Sequence, residues 1–299
     1  MVHHDNCPLC SSFAISPESE CTDYFRSREA FHIWICSICG FCFTQDHPDE
    51  KTIGRYYESD DYISHSDTSK GLVNKIYRMV RKRMLRKKRS IVKNETGIEK
   101  GSILDIGSGT GHFAAEMKNA GWVVSGIEIN DKARNASVEN SGLDIIHPES
   151  VSSLKSGSYD CISLWHVLEH FNDLHGYIYE IKRLLKPGGT CIIALPNISS
   201  YDAEHYGPYW AAWDVPRHLW HFNADTFGFL FESKGFRVVN IRTLPLDVFY
   251  ISILSERYKG KSPAFITGML KGSYFALLAL FNKRKSSSLI YILKKQVKN

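Results

Sequence analysis

The stretch Ile103-Leu104-Asp105-Ile106-Gly107-Ser108-Gly109-Thr110-Gly111 constrains this chain more than any other. An apolar run that ends in an acid gives way to three glycines at alternate positions. Glycine reaches left-handed dihedrals and carries no Cβ, so such a turn lets a ligand approach the backbone. The apolar run reads as a buried strand, and 112–120 as a helix opening off the turn, closed by Gly121. Dinucleotide folds use a similar turn under a pyrophosphate, with an acid after the second strand for the ribose hydroxyls. Glu128 stands at that place. Asp105 separates the alternatives. A carboxylate at the strand end repels a pyrophosphate but suits a cofactor with an ammonium or sulfonium group, which favours S-adenosylmethionine over NAD.

From residue 99 onward strand and helix patterns alternate, the pattern of a parallel sheet with helices on both faces. Strands are expected at 102–106, 122–129, 143–146, 159–164, 190–195 and 236–244. Helices are expected at 112–120, at 131–140, from a cap at Asn172 or Asp173 to Leu185, and at 226–234. Pro187-Gly188-Gly189 reads as a turn into the fifth strand. The run 289–293 has the length of a buried strand that would hairpin against the sixth and enter the sheet, leaving 246–286 as an insertion before the last strand. Within it, 264–270 and 274–281 are apolar but interrupted by glycine and Lys271. The expectation is two short segments that cap the site, form a homodimer contact or dip into a membrane surface, and that do not span a bilayer.

Three segments in order carry a family resemblance. Asp105-Ile106-Gly107-Ser108-Gly109-Thr110-Gly111 resembles the first motif of class I S-adenosylmethionine-dependent methyltransferases. The segment from Tyr159 through Trp165-His166-Val167-Leu168-Glu169-His170 resembles the fourth strand and its sequel in quinone-biosynthesis-type and sugar-methyltransferase-like members. Leu184-Leu185-Lys186-Pro187-Gly188-Gly189 is similar to the family's turn before strand five. The resemblance covers roughly 99–245 plus the last strand. It implies a Rossmann-like α/β fold with a seven-stranded sheet of order 3-2-1-4-5-7-6. It also implies that Asp105 sits near the methionine end of the cofactor, that Gly107, Gly109 and Gly111 lie beneath it, and that Glu128 accepts from the ribose. Glu149, with Ser150 and Val151, is the nearest match to the adenine-contacting segment, though it departs from the usual Asp-Ala pattern. Trp165 and His166 would line the cofactor or acceptor pocket. His166-Val167-Leu168-Glu169-His170 also fits the H-x-x-E-H pattern of some metalloproteases, but the cofactor loop upstream has no role in a protease.

The first 45 residues read as a separate module. Cys7-Pro8-Leu9-Cys10 and Cys36-Ser37-Ile38-Cys39 are two CxxC knuckles. Each turns tightly enough to point two thiolates at one ion, and together Cys7, Cys10, Cys36 and Cys39 complete a closed, structural zinc-ribbon-like site. Cys21 is an alternative ligand. Cys161 and Cys191 sit in apolar runs and read as small buried residues.

Residues 46–98 link the two parts, with Tyr56, Tyr57 and Tyr62 in a turn-rich stretch. Residues 75–89 hold nine Lys/Arg and no acid, with Leu72, Val73, Ile76, Tyr77, Met79, Val80, Met84 and Leu85 at helical spacing. This is a basic amphipathic helix, either packed on the main domain with its charged face solvated or facing a membrane surface or an anion such as RNA. Without that stretch the net charge of +5 becomes 28 basic against 32 acidic residues, so a uniformly basic nucleic-acid binder is not implied. Residues 257–285 are the second basic region. Met1 is followed by His3, His4 and Asp5 rather than by a signal-peptide pattern, so the expected location is the cytoplasm, with a peripheral place at the inner face of the membrane.

The acceptor side is expected in 196–222, a long aromatic and histidine-rich connection that reads as a lid or substrate wall, or as packing against the zinc module or the insertion. Methyl transfer is an in-line displacement that often needs a base, and histidine suits that role near neutral pH. The candidates in order are His218, His170 and His166, with Arg217 as a ligand for a phosphate or carboxylate of the acceptor. A small-molecule acceptor is the leading expectation: a sugar, a polysaccharide or lipid-linked precursor, or a quinone-like ring. RNA methylation and a non-catalytic cofactor-binding scaffold are the alternatives.

Overall fold

A computed structural model describes residues 1–57, 72–143 and 145–296 of the 299-residue chain. The N-terminal residues form an antiparallel meander of β1 (Ile15–Thr22), β2 (Ala30–Cys36) and β3 (Cys42–Gln45). In β2 the alternation buries Phe31 and Ile33, as a half-buried strand requires. The β1–β2 turn is closed by Asp23, whose carboxylate accepts from the backbone N–H groups of Phe25, Arg26 and Ser27.

The basic stretch is a helix, α1 (Leu72–Thr96). Ile91 and Val92 are buried against Ile103, Phe113 and Ile192, and Met84 and Leu85 pack on the same cluster. Lys82, Arg83, Arg86 and Lys87 face solvent. Over this span the apolar stripe packs on the sheet and the charged face is solvated. Tyr62 and the side chains of Leu72, Val73, Ile76 and Tyr77 lie outside the described residues.

The α/β unit follows as β4 (Ser102–Ile106), α2 (His112–Asn119), β5 (Val123–Ile127), α3 (Asp131–Ser141), β6 (Ile145–Ile146), β7 (Tyr159–Trp165), α4 (Leu174–Leu184) and β8 (Leu185–Pro196). Then come α5 (Tyr201–Tyr206), β9 (Trp220–His221), α6 (Ala224–Ser233), β10 (Phe236–Thr243), α7 (Asp247–Tyr258), α8 (Ala264–Phe281) and β11 (Ser288–Lys295). The seven-stranded sheet runs β10-β11-β8-β7-β4-β5-β6, which is the expected 3-2-1-4-5-7-6 order. β11 is antiparallel to both β10 and β8, and the inner strands are parallel. The strands are continuously apolar because both faces are covered. Leu104, Ile162, Ile193 and Tyr291 turn to the side of α4 and α6, and Ile103, Cys161, Ile192 and Ile290 turn to α1 and α2.

Three details differ from the sequence expectation. Pairing jumps from Tyr159↔Leu185 to Cys161↔Thr190, so the Lys186–Gly189 stretch bulges within β8 rather than preceding it. Second, β9 pairs with β3, so the cysteine-bearing sheet takes its fourth strand from the 196–222 connection. Third, 264–281 is one continuous helix of 18 residues, long and apolar enough to cross a membrane by length and composition. Its glycines do not interrupt it. At Gly268 and Gly272 an added Cβ would come within 2.4 Å and 3.0 Å of the Ile253 and Phe249 Cα atoms of α7, so these residues let the two helices approach closely.

Candidate cofactor and acceptor site

The glycine turn takes its shape from three left-handed residues, Gly107 (φ +72°), Gly109 (φ +53°) and Gly111 (φ +77°). Close approach makes the first of them obligatory, because a Cβ on Gly107 would meet Val167 Cγ2 at 2.3 Å. Glu128 is drawn to the same turn. Its carboxylate accepts from Gly109 N at 2.8 Å and from Asn130 N at 2.9 Å. Asp105 lies at the end of β4, 2% exposed, and accepts from Ser163 Oγ at 2.7 Å. Burial pushes its carboxyl up to about 7, against the pull of Ser163 and Lys88.

Trp165 closes this end of the site, edge-on to Phe113 at 5.5 Å. Its indole Nε1 is buried without a partner among the described residues. Lys88 of α1 places its ammonium 4.4 Å from the Trp165 ring centre, and burial lowers its pKa. Sequence reading took the cations of this helix as outward-facing, but Lys88 follows Met84 and Leu85 at i+4 and i+3, on the packed face. The residues present suit a cofactor with a cationic end: a carboxylate at the strand end, a turn of left-handed glycines with no room for a Cβ at Gly107, and an orphaned indole donor. Glu149 is the expected site residue that is not drawn in. It sits on a 3-10 turn after β6 with its carboxylate in solvent beside His147, while Val151 on the same turn is buried.

Beyond Trp165 the chain enters a cluster of ionisable groups. His166 adopts a left-handed φ of +60°, a strained conformation for a residue with a Cβ. Its ring lies between two carboxylates, with Nδ1 3.5 Å from Glu169 and Nε2 2.9 Å from Asp247. Burial lowers its pKa, but the Asp247 and Glu169 carboxylates outweigh burial and hold it at about 10. His166 is therefore an imidazolium at neutral pH and does not serve as the base expected of it.

His170 and His218 face each other edge-on, with ring centres 4.6 Å apart. The His170 Nδ1 is 2.9 Å from the Arg217 carbonyl, and the His218 Nδ1 is 2.9 Å from the Ala212 carbonyl. A carbonyl can only accept, so the His218 Nδ1 donates to Ala212; at the His170 Nδ1 the Tyr57 hydroxyl, 3.0 Å away, competes with the Arg217 carbonyl. Beside them lies Glu169, 1% exposed, with Oε1 4.0 Å from His218 Nε2 and no directed hydrogen bond to either oxygen. Burial, with His218 alongside, pushes His170 down to about 4, so it is neutral at pH 7. One ligand atom each from Glu169, His170 and His218 lies within 4.8 Å of the other two. The arrangement can take up a proton or hold a cation.

Arg217 departs from its expected role. It is 3% exposed and bonds Asp214 at 2.6 Å, Asp23 at 3.1 Å and the Tyr56 carbonyl at 3.0 Å. Its guanidinium is committed to the N-terminal sheet and to the loop carrying His218, which leaves no fork for an acceptor anion. The 196–222 connection is likewise not an open lid. Trp210, Val215, Leu219, Trp220 and Phe222 are buried, and Trp220 donates to the Phe171 carbonyl at 2.6 Å. It packs as a fixed wall.

The four expected metal ligands converge. Cys7 and Cys39 sulfurs are 3.6 Å apart, as are those of Cys10 and Cys36, and all four lie within 4.8 Å. Tetrahedral zinc with Zn–S near 2.3 Å needs sulfurs about 3.8 Å apart. Cys21 is elsewhere, buried with Phe31 and Ile33. The Pro8 carbonyl in the first knuckle is 2.8 Å from His175 Nε2 at the start of α4, which ties the cluster to the sheet.

Residues 77–241 match a family described as a methyltransferase domain. Among curated proteins, a ubiquinone biosynthesis O-methyltransferase of Psychrobacter cryohalolentis is 30% identical over 112 residues, 34% of this chain and 44% of the relative. One from Maricaulis maris is 30% identical over 130 residues, 40% of this chain and 51% of the relative. The chain thus spans about half the length of the curated relatives it matches. Among solved structures, the Haemonchus contortus phosphoethanolamine N-methyltransferase 2 in complex with S-adenosyl-L-methionine superposes with a TM-score of 0.54 at 15% identity. The match covers 86% of this chain and 62% of that one, a likeness of fold.

Proposed function

The chain belongs to the methyltransferase domain family, and on the premise that it is an S-adenosylmethionine-dependent methyltransferase we propose that its acceptor is a small molecule. The acceptor is a sugar, a polysaccharide or lipid-linked precursor, or a quinone-like ring, and the methyl group goes to a hydroxyl. The observation that carries this reading is the pair of histidines, His170 and His218, whose Nδ1 atoms lie against backbone carbonyls beside the Glu169 carboxylate, at a connection packed with aromatics rather than along an open basic groove. The curated relatives are named as O-methyltransferases, which supports oxygen as the acceptor atom.

When bound, S-adenosylmethionine supplies an electrophilic methyl group on a positively charged sulfur. The glycine turn and Trp165 would hold it, with Asp105 toward its ammonium end and Glu128 toward its ribose. An acceptor hydroxyl placed against His170 or His218 would pass its proton to the imidazole, which would free the oxygen lone pair for the cofactor's methyl group. Glu169 stabilises the imidazolium that results. His166, already charged and fixed between Asp247 and Glu169, positions the turn after β7. We propose that Cys7, Cys10, Cys36 and Cys39 hold a structural zinc ion, with no open position for chemistry.

The test is incubation of the full chain with methyl-labelled cofactor and fractionated cell extract. Label in the lipid or polar small-molecule fraction is the expected result. Label in RNA or protein would overturn the acceptor class, and cofactor binding with no label anywhere would favour a non-catalytic scaffold.

A further inference from the structure

Helix α8 is apolar on the side that meets no other element among the described residues. Its 18 residues carry one charge, Lys271. The inner side is closed by the glycine contacts with α7 and by Phe275, which packs against His205 and Tyr206 at ring distances of 5.3 Å and 6.0 Å. The outer side presents Phe265, Ile266, Leu270, Leu277, Leu280 and Phe281, with Leu270 67% and Phe281 85% exposed. A solvated helix face is normally polar. A contiguous apolar face along a helix about 27 Å long, at 1.5 Å per residue, marks a surface that something else covers.

The charges around this face identify the occupant. No Asp or Glu follows Glu256 in the sequence. Lys259 and Lys261 stand before α8, and Lys283, Arg284 and Lys285 after it. Arg284 and Lys285 reach the surface carboxylates of Asp225 and Glu204, leaving Lys259, Lys261 and Lys283 outside the surface ion pairs formed among the described residues. Apolar side chains along a helix with cations at both ends fit the acyl boundary and the headgroups of an anionic bilayer. A second copy fits poorly. Antiparallel pairing of two α8 helices would set Lys259 and Lys261 opposite Lys283, where the nearby carboxylates of Asp225 and Glu204 are already paired with Arg284 and Lys285.

The helix is also held in the orientation that docking needs. Tyr258, at the turn of the α7–α8 hairpin, stacks on Tyr24 of the N-terminal sheet at 4.4 Å. The other end passes through buried Ser286 and Ser287 into β11 in the sheet. With both ends tied to the body, α8 lies flat rather than crossing. We propose that the outer face of α8 seats the protein on an anionic lipid bilayer as a peripheral, in-plane anchor. Because α7 begins at Asp247 against His166, the anchor lies next to the ionisable cluster, which suits an acceptor that reaches the site from the membrane. The docking claim rests on the surface alone, and vesicle binding is read without turnover, so it stands or falls separately from the acceptor assignment.

The test is co-flotation of the full chain with phosphatidylcholine vesicles with and without phosphatidylglycerol. The expected result is binding to the anionic vesicles that weakens as salt is added. The triple variant Leu270→Ser, Leu277→Ser, Phe281→Ser should lose at least about tenfold in partitioning, with cofactor affinity and melting temperature retained. Absence of binding to anionic vesicles at low salt would overturn the proposal. So would undiminished binding by the triple variant, which would move the contact to α1, or a wild-type dimer that becomes monomeric in the variant, which would assign the face to a second copy.

Discussion

Replacing Arg217 by Met separates two roles that share one side chain. If Arg217 clamps the N-terminal sheet to the loop carrying His218, its loss strands charges in the interior. Asp23 is fully buried and Asp214 about a quarter exposed. Removing one member of a buried pair costs about 3–5 kcal/mol. The lower end applies here, because Asp23 keeps donors from Phe25 N, Arg26 N, Ser27 N and Ser27 Oγ, and Asp214 is partly screened by water. Urea denaturation should therefore show a loss of about 3 kcal/mol. The pH dependence is a second signature. Burial raises the Asp214 pKa, but Arg217 outweighs it and holds the carboxyl down at about 2. The stabilisation is present above the ordinary carboxyl pKa near 4 and is lost as pH falls toward 2, so the gap between wild type and variant should narrow over that window. A stability change below about 1 kcal/mol, with a raised KM for an anionic acceptor, would refute the clamp and restore Arg217 as a substrate ligand.

Cofactor affinity should depend on pH through Asp105. Its carboxyl is raised to about 7 by burial, so below that pH a cationic cofactor must first draw off a proton. Affinity should rise by about tenfold per unit up to pH 7 and then level, and Asp105→Asn should bind weakly with no such slope in calorimetry. His218→Gln and His170→Gln should lower kcat by about 10²–10⁴-fold while cofactor affinity holds; a full kcat in both would remove the pair from the reaction. Metal analysis should find about one zinc per chain, and Cys36→Ser or chelation should loosen the N-terminal sheet and, through the β3–β9 pairing, lower activity.

The sheet was readable from the chain because its strands are short apolar runs punctuated by glycine and proline, and because the loop chemistry around Asp105 is specific. The last strand was readable too, since 289–293 is apolar throughout, as a strand covered on both faces must be. What escaped reading depends on contacts between distant residues. Nothing in Trp220-His221 marks it as a strand until β3 lies beside it. Arg217 looks like an anion ligand until Asp23, nearly two hundred residues earlier, claims its guanidinium. Asp247 gives no sign of its partner, yet it fixes the charge on His166. Lys88 was legible in principle, since it continues the inward stripe of Met84 and Leu85, but its charge drew it into the solvated face. The glycines of α8 read as breaks because glycine is a poor helix former. Packed against α7 they are the positions where the helices touch.

The most direct test of the central claim is equilibrium dialysis of the purified chain with labelled S-adenosylmethionine. The account predicts one cofactor per chain, displaced by S-adenosylhomocysteine, unaffected by NAD, and lost in Asp105→Ala. Displacement by NAD, or undiminished binding to Asp105→Ala, would contradict it.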